Sequence, residues 1–120
     1  MTYRLVIIES PFAGRGNSDE ERTADAAENL RYLRAAMADC LARGEAPFAS
    51  HGLYTQPGVL DDANPEERRR GIAAGFAWRR VAAATVVYVD RGITDGMHAG
   101  VTDAAGHVVE FRSLPGWSAP

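Results

Sequence analysis

Three acids stand where the chain leaves a buried run: Glu9 after Tyr3–Val6 and two isoleucines, Asp90 after Thr85–Val89, and Asp95 five residues further on. Carboxylates brought together at strand ends suit general-base chemistry on water, and Glu9, a buried acid closing an apolar strand, is costly unless it is paired or used. Around them are groups able to read a ligand. Ser10, Phe12 and Gly14 lie in the loop ESPFAGRGN, where Gly14 and Gly16 allow close backbone approach, although Asp19 replaces the third glycine of a dinucleotide fingerprint. His51, Tyr54 and Gln56 bring an imidazole, a phenol and an amide within six residues, all suited to contacting a base or sugar. Thr94, Gly96 and Met97 surround a strand-to-helix turn, with Thr94 or Asp95 as helix cap. Such a turn presents free backbone N–H groups and partial positive charge to an anion.

The elements that position these residues follow from periodicity. Tyr3–Glu9 and Thr85–Val89 read as strands buried on both faces, as in a parallel sheet. A helix is expected from about Thr23 to Ala42, with Ala26, Leu30, Leu33, Met37 and Leu41 as its apolar face. Ser18 and Glu21 offer a capping box that would start it earlier, and Gly44 follows as its C-cap. Pro47–Ser50 reads as a short second strand, His51–Asn64 as a long functional loop, and Asn64-Pro65-Glu66-Glu67 as a helix start. That helix carries Ile72, Gly75, Phe76, Arg79 and Ala83 along one side, widened by Trp78 and Val81. Gly71 and Gly75 suggest close packing on the sheet or on another subunit. A helix from Gly96 to Ala105, closed by Gly106, and a strand Val108–Arg112 complete the pattern. Within the tail Ser113–Pro120, Trp117 is either a lid over the strand ends or an interface anchor.

Alternating strands and helices predict an α/β fold: a doubly wound, Rossmann-like three-layer sandwich with a parallel sheet of about four strands, one domain over residues 1–120. Ligands in such sheets bind outside the carboxyl ends of the strands, the rim to which Glu9, Ser10, His51 and Asp90–Gly96 belong.

Composition narrows the classes. A chain 46% hydrophobic and 24% charged supports a single core, and the lone Cys40 forms no internal disulfide and is expected packed rather than reactive. With no signal-like or membrane-length apolar run, a cytoplasmic location and no membrane partner are expected. A net charge of −3 argues against nucleic acid, and Arg68-Arg69-Arg70 with Arg79-Arg80 reads as a solvated or subunit-facing stripe. All thirteen Lys or Arg residues are arginine, which removes P-loop and Schiff-base lysine chemistry. No metal is expected from His51, His98 and the acids, which lack ligand spacing, and no cofactor is expected. A Ser10–His51–aspartate hydrolase triad is disfavoured because Ser10 precedes proline and lacks the nucleophile elbow.

The stretches ESPFAG, CLARGEAPFASHGLYTQPGVLDD, NPEER and VVYVDRGITDGM, followed by VVEFR, resemble an uncharacterised family of the nucleoside 2-deoxyribosyltransferase-like superfamily, over roughly Arg4 to Leu114. The resemblance implies a nucleoside or nucleoside 5′-monophosphate at the sheet rim, N-glycosidic bond chemistry, and a homodimer or larger homo-oligomer whose neighbouring subunit completes the pocket. Active members place a nucleophilic glutamate four residues beyond the glycine of the turn matched here by Asp95-Gly96-Met97. That position is Gly100, so the nucleophile site is empty, and Asp103, about 4.5 Å further along the helix, is a poor substitute. Two functions follow as expectations. One is a nucleoside or nucleotide N-glycosidase in which Glu9, Asp90 or Asp95 activates water or orients a ribose hydroxyl. The other is a non-catalytic protein binding a nucleotide or nucleotide-derived signal.

Overall fold

The structure is a computed structural model and describes residues 2–117; the end of the tail, residues 118–120, lies outside them. Strand β1 (Arg4–Glu9) leads into helix α1 (Asp19–Ala42), strand β2 (Glu45–Phe48) and the short helix α2 (Ser50–Leu53). Helix α3 (Pro65–Ala77) continues as a 3-10 turn over Trp78–Arg80, then come β3 (Ala84–Tyr88), α4 (Asp95–Asp103) and β4 (Val108–Arg112). The four strands form one parallel sheet in the order β2-β1-β3-β4. This is the expected Rossmann-like α/β architecture, with α1 on one face of the sheet and α3 and α4 on the other. The order reverses between β1 and β3, and the crevice at their carboxyl ends is where this fold class seats ligands.

Local chemistry accounts for the element boundaries. The Ser18 hydroxyl accepts from the Glu21 N–H at 3.1 Å and the Glu21 carboxylate accepts from the Asn17 N–H at 3.0 Å, so α1 begins at Asp19 with three acids in its first turn. Asn64 caps α3 by accepting from the N–H groups of Glu66 and Glu67. Strand β2 runs over Glu45–Phe48 rather than Pro47–Ser50. Gly44, at φ +80°, turns the chain from α1 directly into it, and Ala49 already serves as the N-cap of α2. The expected loop His51–Asn64 therefore begins inside a helix.

The buried face of α1 also differs from the expected one. Asn29, Tyr32, Leu33, Ala36 and Cys40 are buried, whereas Leu30, Met37 and Leu41 are exposed, Leu41 by 53%. Tyr32, Leu33, Ala36 and Cys40 pack with Val6, Ile8, Val86 and Tyr88 into the core on this face. Gly75 packs closely as expected, but against the Ser50 side chain of α2 rather than the sheet. Trp117 meets the Tyr32 ring edge-on at 4.8 Å, and the Arg31 guanidinium lies 4.0 Å from its centroid. The sheet edges are unlike one another: β2 is four residues long and contains Pro47, while β4 exposes Val108 and Phe111.

Beneath α1 lies a buried ion cluster. Arg112 holds both carboxylate oxygens of Glu45 at 2.7 and 2.8 Å and also donates to Glu110 at 2.6 Å, and Arg4 bridges the same two acids at 3.1 Å. Hydrogen bonds from Arg112 keep Glu45 below the usual carboxylate range despite its burial. Removing one partner of such a pair strands a buried charge, a loss of about 3–5 kcal/mol, while replacing both with apolar groups is far less costly. Urea denaturation should therefore show Arg112→Met losing about that much and the double variant Arg112→Met/Glu45→Leu regaining most of it. Equal losses in the two proteins would contradict this account.

Candidate functional site

A hollow of about 520 Å³ opens at the carboxyl end of the sheet, a size suited to a small ligand. Glu9, Ser10, Phe12, Gly14, His51, Thr94, Asp95, Gly96 and Met97 all line it, so nine of the residues singled out in the sequence meet there. They come from three separate stretches: the end of β1 with its following loop, α2, and the start of α4 with the turn before it. The first turn of α4 faces this space, the end of a helix where N–H groups lack intrahelical acceptors. Thr94 is the cap, its hydroxyl accepting from the Met97 N–H at 3.3 Å, which leaves the exposed Asp95 carboxylate free of that duty.

The loops are fastened by side chains of α1. Asn29 donates through its amide nitrogen to the carbonyls of Phe12 and Ala13, each at 3.2 Å, and its amide oxygen accepts from Arg91 Nε at 2.9 Å. One buried side chain thus ties the β1–α1 loop to the β3–α4 loop. A Cβ at Gly14 would strike the Arg22 carbonyl, so that loop lies directly on the first turns of α1.

Three expected site residues do other work. Asp90 accepts from the Tyr32 hydroxyl at 2.6 Å and from the Leu114 N–H at 2.9 Å, and its own N–H donates to the Tyr32 oxygen at 2.9 Å. It fastens the segment after β4 instead of facing the hollow. The cause is strand parity: Ala84, Val86 and Tyr88 point toward α1 and Asp90 continues that series, whereas Glu9, level with Val87, points to the other face. Tyr54 accepts from Trp78 Nε1 at 2.9 Å and lies against Phe48, lining only a smaller cleft behind His51. Gln56 turns back to donate to the Leu53 carbonyl at 3.0 Å.

Arg79, expected on a solvated stripe, is 5% exposed and sits under the site. Its Nη2 donates to the Gly100 carbonyl at 2.7 Å and to Glu9 at 3.3 Å, its Nη1 to Thr85 at 2.8 Å, and its Nε to Asp103 at 2.8 Å. Asp62, Arg68, Ile72 and Phe76 also line the hollow, which brings the loop before α3 and α3 itself to the wall. None of these had a distinguishing motif; Arg79 lay within an arginine-rich helix whose other members are exposed.

Glu9 is the central acid. A Cβ at Gly100 would overlap its carboxyl group, so Glu9 fills the space that a side chain at position 100 would take. Burial pushes its pKa up to about 7, with the charge and hydrogen bond of Arg79 drawing it down and the charge of Asp103 raising it. Across the rim, the Ser10 hydroxyl and His51 Nε2 are 2.9 Å apart, and Phe12 meets the imidazole edge-on at 6.0 Å. Burial lowers the His51 pKa to about 4, so its ring is neutral at pH 7. No third acid completes a triad among the hydrogen bonds of the described residues. Nor do the described residues include three or more His, Cys, Asp or Glu grouped to hold a metal ion. No described helix is long and apolar enough to cross a membrane.

Two outcomes are expected from this geometry. Gly100→Ala should destabilise the protein by about 1–3 kcal/mol, and by much less in a Glu9→Ala background, because the three atoms nearest the added methyl all belong to the Glu9 carboxyl. Additive losses in chemical denaturation would exclude that contact. The raised pKa of Glu9 gives stability that is full below its ordinary value of 4.5 and lost as pH rises through about 7. Glu9→Gln should therefore gain on the wild type between pH 5 and pH 8, by on the order of 3 kcal/mol, in denaturation curves at the two pH values. A gain that does not depend on pH would count against it.

No curated protein matches the chain. The family model for a domain of unknown function, DUF7768, matches residues 4–114, nearly the whole chain, and the protein belongs to that family.

Proposed function

We propose that the protein is a nucleoside or nucleotide N-glycosidase of the nucleoside 2-deoxyribosyltransferase-like kind, with Glu9 as its working carboxylate. The observation that carries this reading is the location of the Glu9 carboxyl, against Gly100 and facing the hollow that Asp95 also lines. The resemblance assigns a glutamate to position 100; here a carboxyl reaches the adjoining space from the end of β1. In its ionised form Glu9 takes a proton from water as the water oxygen attacks the anomeric carbon. The C–N bond breaks, its electron pair leaves with the base, and the base takes up the proton that Glu9 removed from water, so that sugar and free base result and Glu9 is ionised again. Asp95 orients a sugar hydroxyl, the first turn of α4 with Arg15 and Arg68 favours an anionic substituent, and Phe12 and the neutral His51 contact the base.

A second reading has an observation of its own. Glu9 is only 16% exposed in its side chain and is paired with Arg79, as a carboxyl retained for structure would be. On that reading the hollow binds a nucleotide without turning it over.

Purified protein incubated with a panel of nucleosides and nucleoside 5′-monophosphates should release free base, measured by chromatography. The rate should rise with pH through about 7 as Glu9 ionises, and Glu9→Gln should lower it about 100-fold or more. No base from any substrate removes the glycosidase. A ligand-dependent rise in melting temperature without turnover would then establish the binding protein.

A further inference from the structure

The Arg79 guanidinium is shared unequally between two acids. Asp103, on the last turn of α4, receives the Nε–H at 2.8 Å, while Glu9 is left with a longer contact of 3.3 Å from Nη2, whose shorter bond goes to the Gly100 carbonyl. Nη1 is committed to Thr85. One cation therefore faces two carboxyls, and the better-placed contact belongs to the acid outside the hollow: Glu9 lines that space and Asp103 does not. Among the other charged or titratable groups around the hollow, Asp95 comes from the start of α4 and His51 from α2. Arg15 comes from the β1–α1 loop, with Asp62 before α3 and Arg68 on it. Each has a different engagement or none with Glu9: Arg15 pairs with Asp25, Arg68 lies 4.0 Å from Asp62, and His51 is bonded to Ser10.

We infer that Asp103 is a positioning residue for this site: by occupying the shorter contact of the shared Arg79, it leaves Glu9 the longer one and its carboxyl free to work in the hollow. The inference rests on the reading of Glu9 as the working carboxyl. Were Asp103 uncharged, Arg79 would turn its whole charge to Glu9, and Glu9 would be fixed as a structural carboxylate, ionised at a lower pH and a weaker base. Asp103 is thus no stand-in for the missing nucleophile; it acts on Glu9 through the cation between them.

The test is a carbon-13 NMR titration of the Glu9 carboxyl in the ligand-free full chain. The wild-type midpoint should fall near 7, and Asp103→Asn should lower it by about one pH unit. Asp103→Ser should act in the same direction. Asp95→Asn, which removes a charge from the same hollow without touching Arg79, should move it by less than about 0.3 units. An unchanged or raised midpoint in both Asp103 variants overturns the inference, as does an equal shift in Asp95→Asn. In the wild type the Arg79 Nε–H resonance should stay nearly still while Glu9 titrates; a large shift that tracks the Glu9 midpoint also overturns it, with no variant needed. A wild-type Glu9 midpoint in the ordinary carboxylate range sinks the underlying reading of Glu9 itself. A midpoint near 7 that ignores Asp103 sinks only the role of Asp103. If base release is found, its pH limb should move to lower pH by the same shift in Asp103→Asn.

Discussion

A guanidinium buried under the sheet rim needs acceptors for its N–H groups, and Arg79 finds them on three elements: Glu9 on β1, Thr85 on β3, and Gly100 and Asp103 on α4. Helix α4 is nine residues long and includes Gly96 and Gly100, too short and too glycine-rich to be stable from its own backbone bonds. The bond from Arg79 to the Gly100 carbonyl attaches it to the 3-10 turn after α3, and Glu9 fits into the notch that the glycine leaves. The group that satisfies a buried charge therefore also sets the distance between strand and helix at the mouth of the hollow. Loss of Arg79 would leave Glu9 and Asp103 without their shared cation and α4 without its anchor at once.

On the opposite face a neutral pair of residues does comparable work. Asn29 joins the two loops that flank the crevice, and Tyr32 exchanges hydrogen bonds with Asp90. Both project from α1 beside the reversal of strand order, where the chain leaves β1 and β3 toward opposite faces. The hollow is thus bounded by an ionic tie on one side of the sheet and amide and phenol ties on the other.

The sheet and the gathering of rim residues were legible because they depend on short-range patterns. Val108–Arg112 is a strand over the residues expected, and the Asn64-Pro65-Glu66-Glu67 start of α3 holds to the residue. The α1 face was legible only in part, at Leu33 and in the packing of Cys40. Periodicity favours the large aliphatics Leu30, Met37 and Leu41, yet the helix buries Asn29, Tyr32 and Cys40, whose polar atoms have partners across the core. Which way Glu9 and Asp90 point was hidden for a different reason. Strands buried on both faces show no alternation, so parity cannot be read from them, and two acids that looked equivalent end on opposite sides of the sheet. Arg79 was hidden by its neighbours, since a buried arginine inside a run of exposed ones has no local mark and is revealed only by the acids that converge on it from elsewhere.

The unlike edges of the sheet bear on how the chain meets other chains. Strand β2 is short and carries a proline, which has no N–H to offer a newcomer, and such features discourage addition of a further strand. Strand β4 has five residues, no proline, and exposed Val108 and Phe111. Extension of the sheet by an incoming strand is thus deterred at one margin and undeterred at the other, and the molecule has a built-in direction for any such growth.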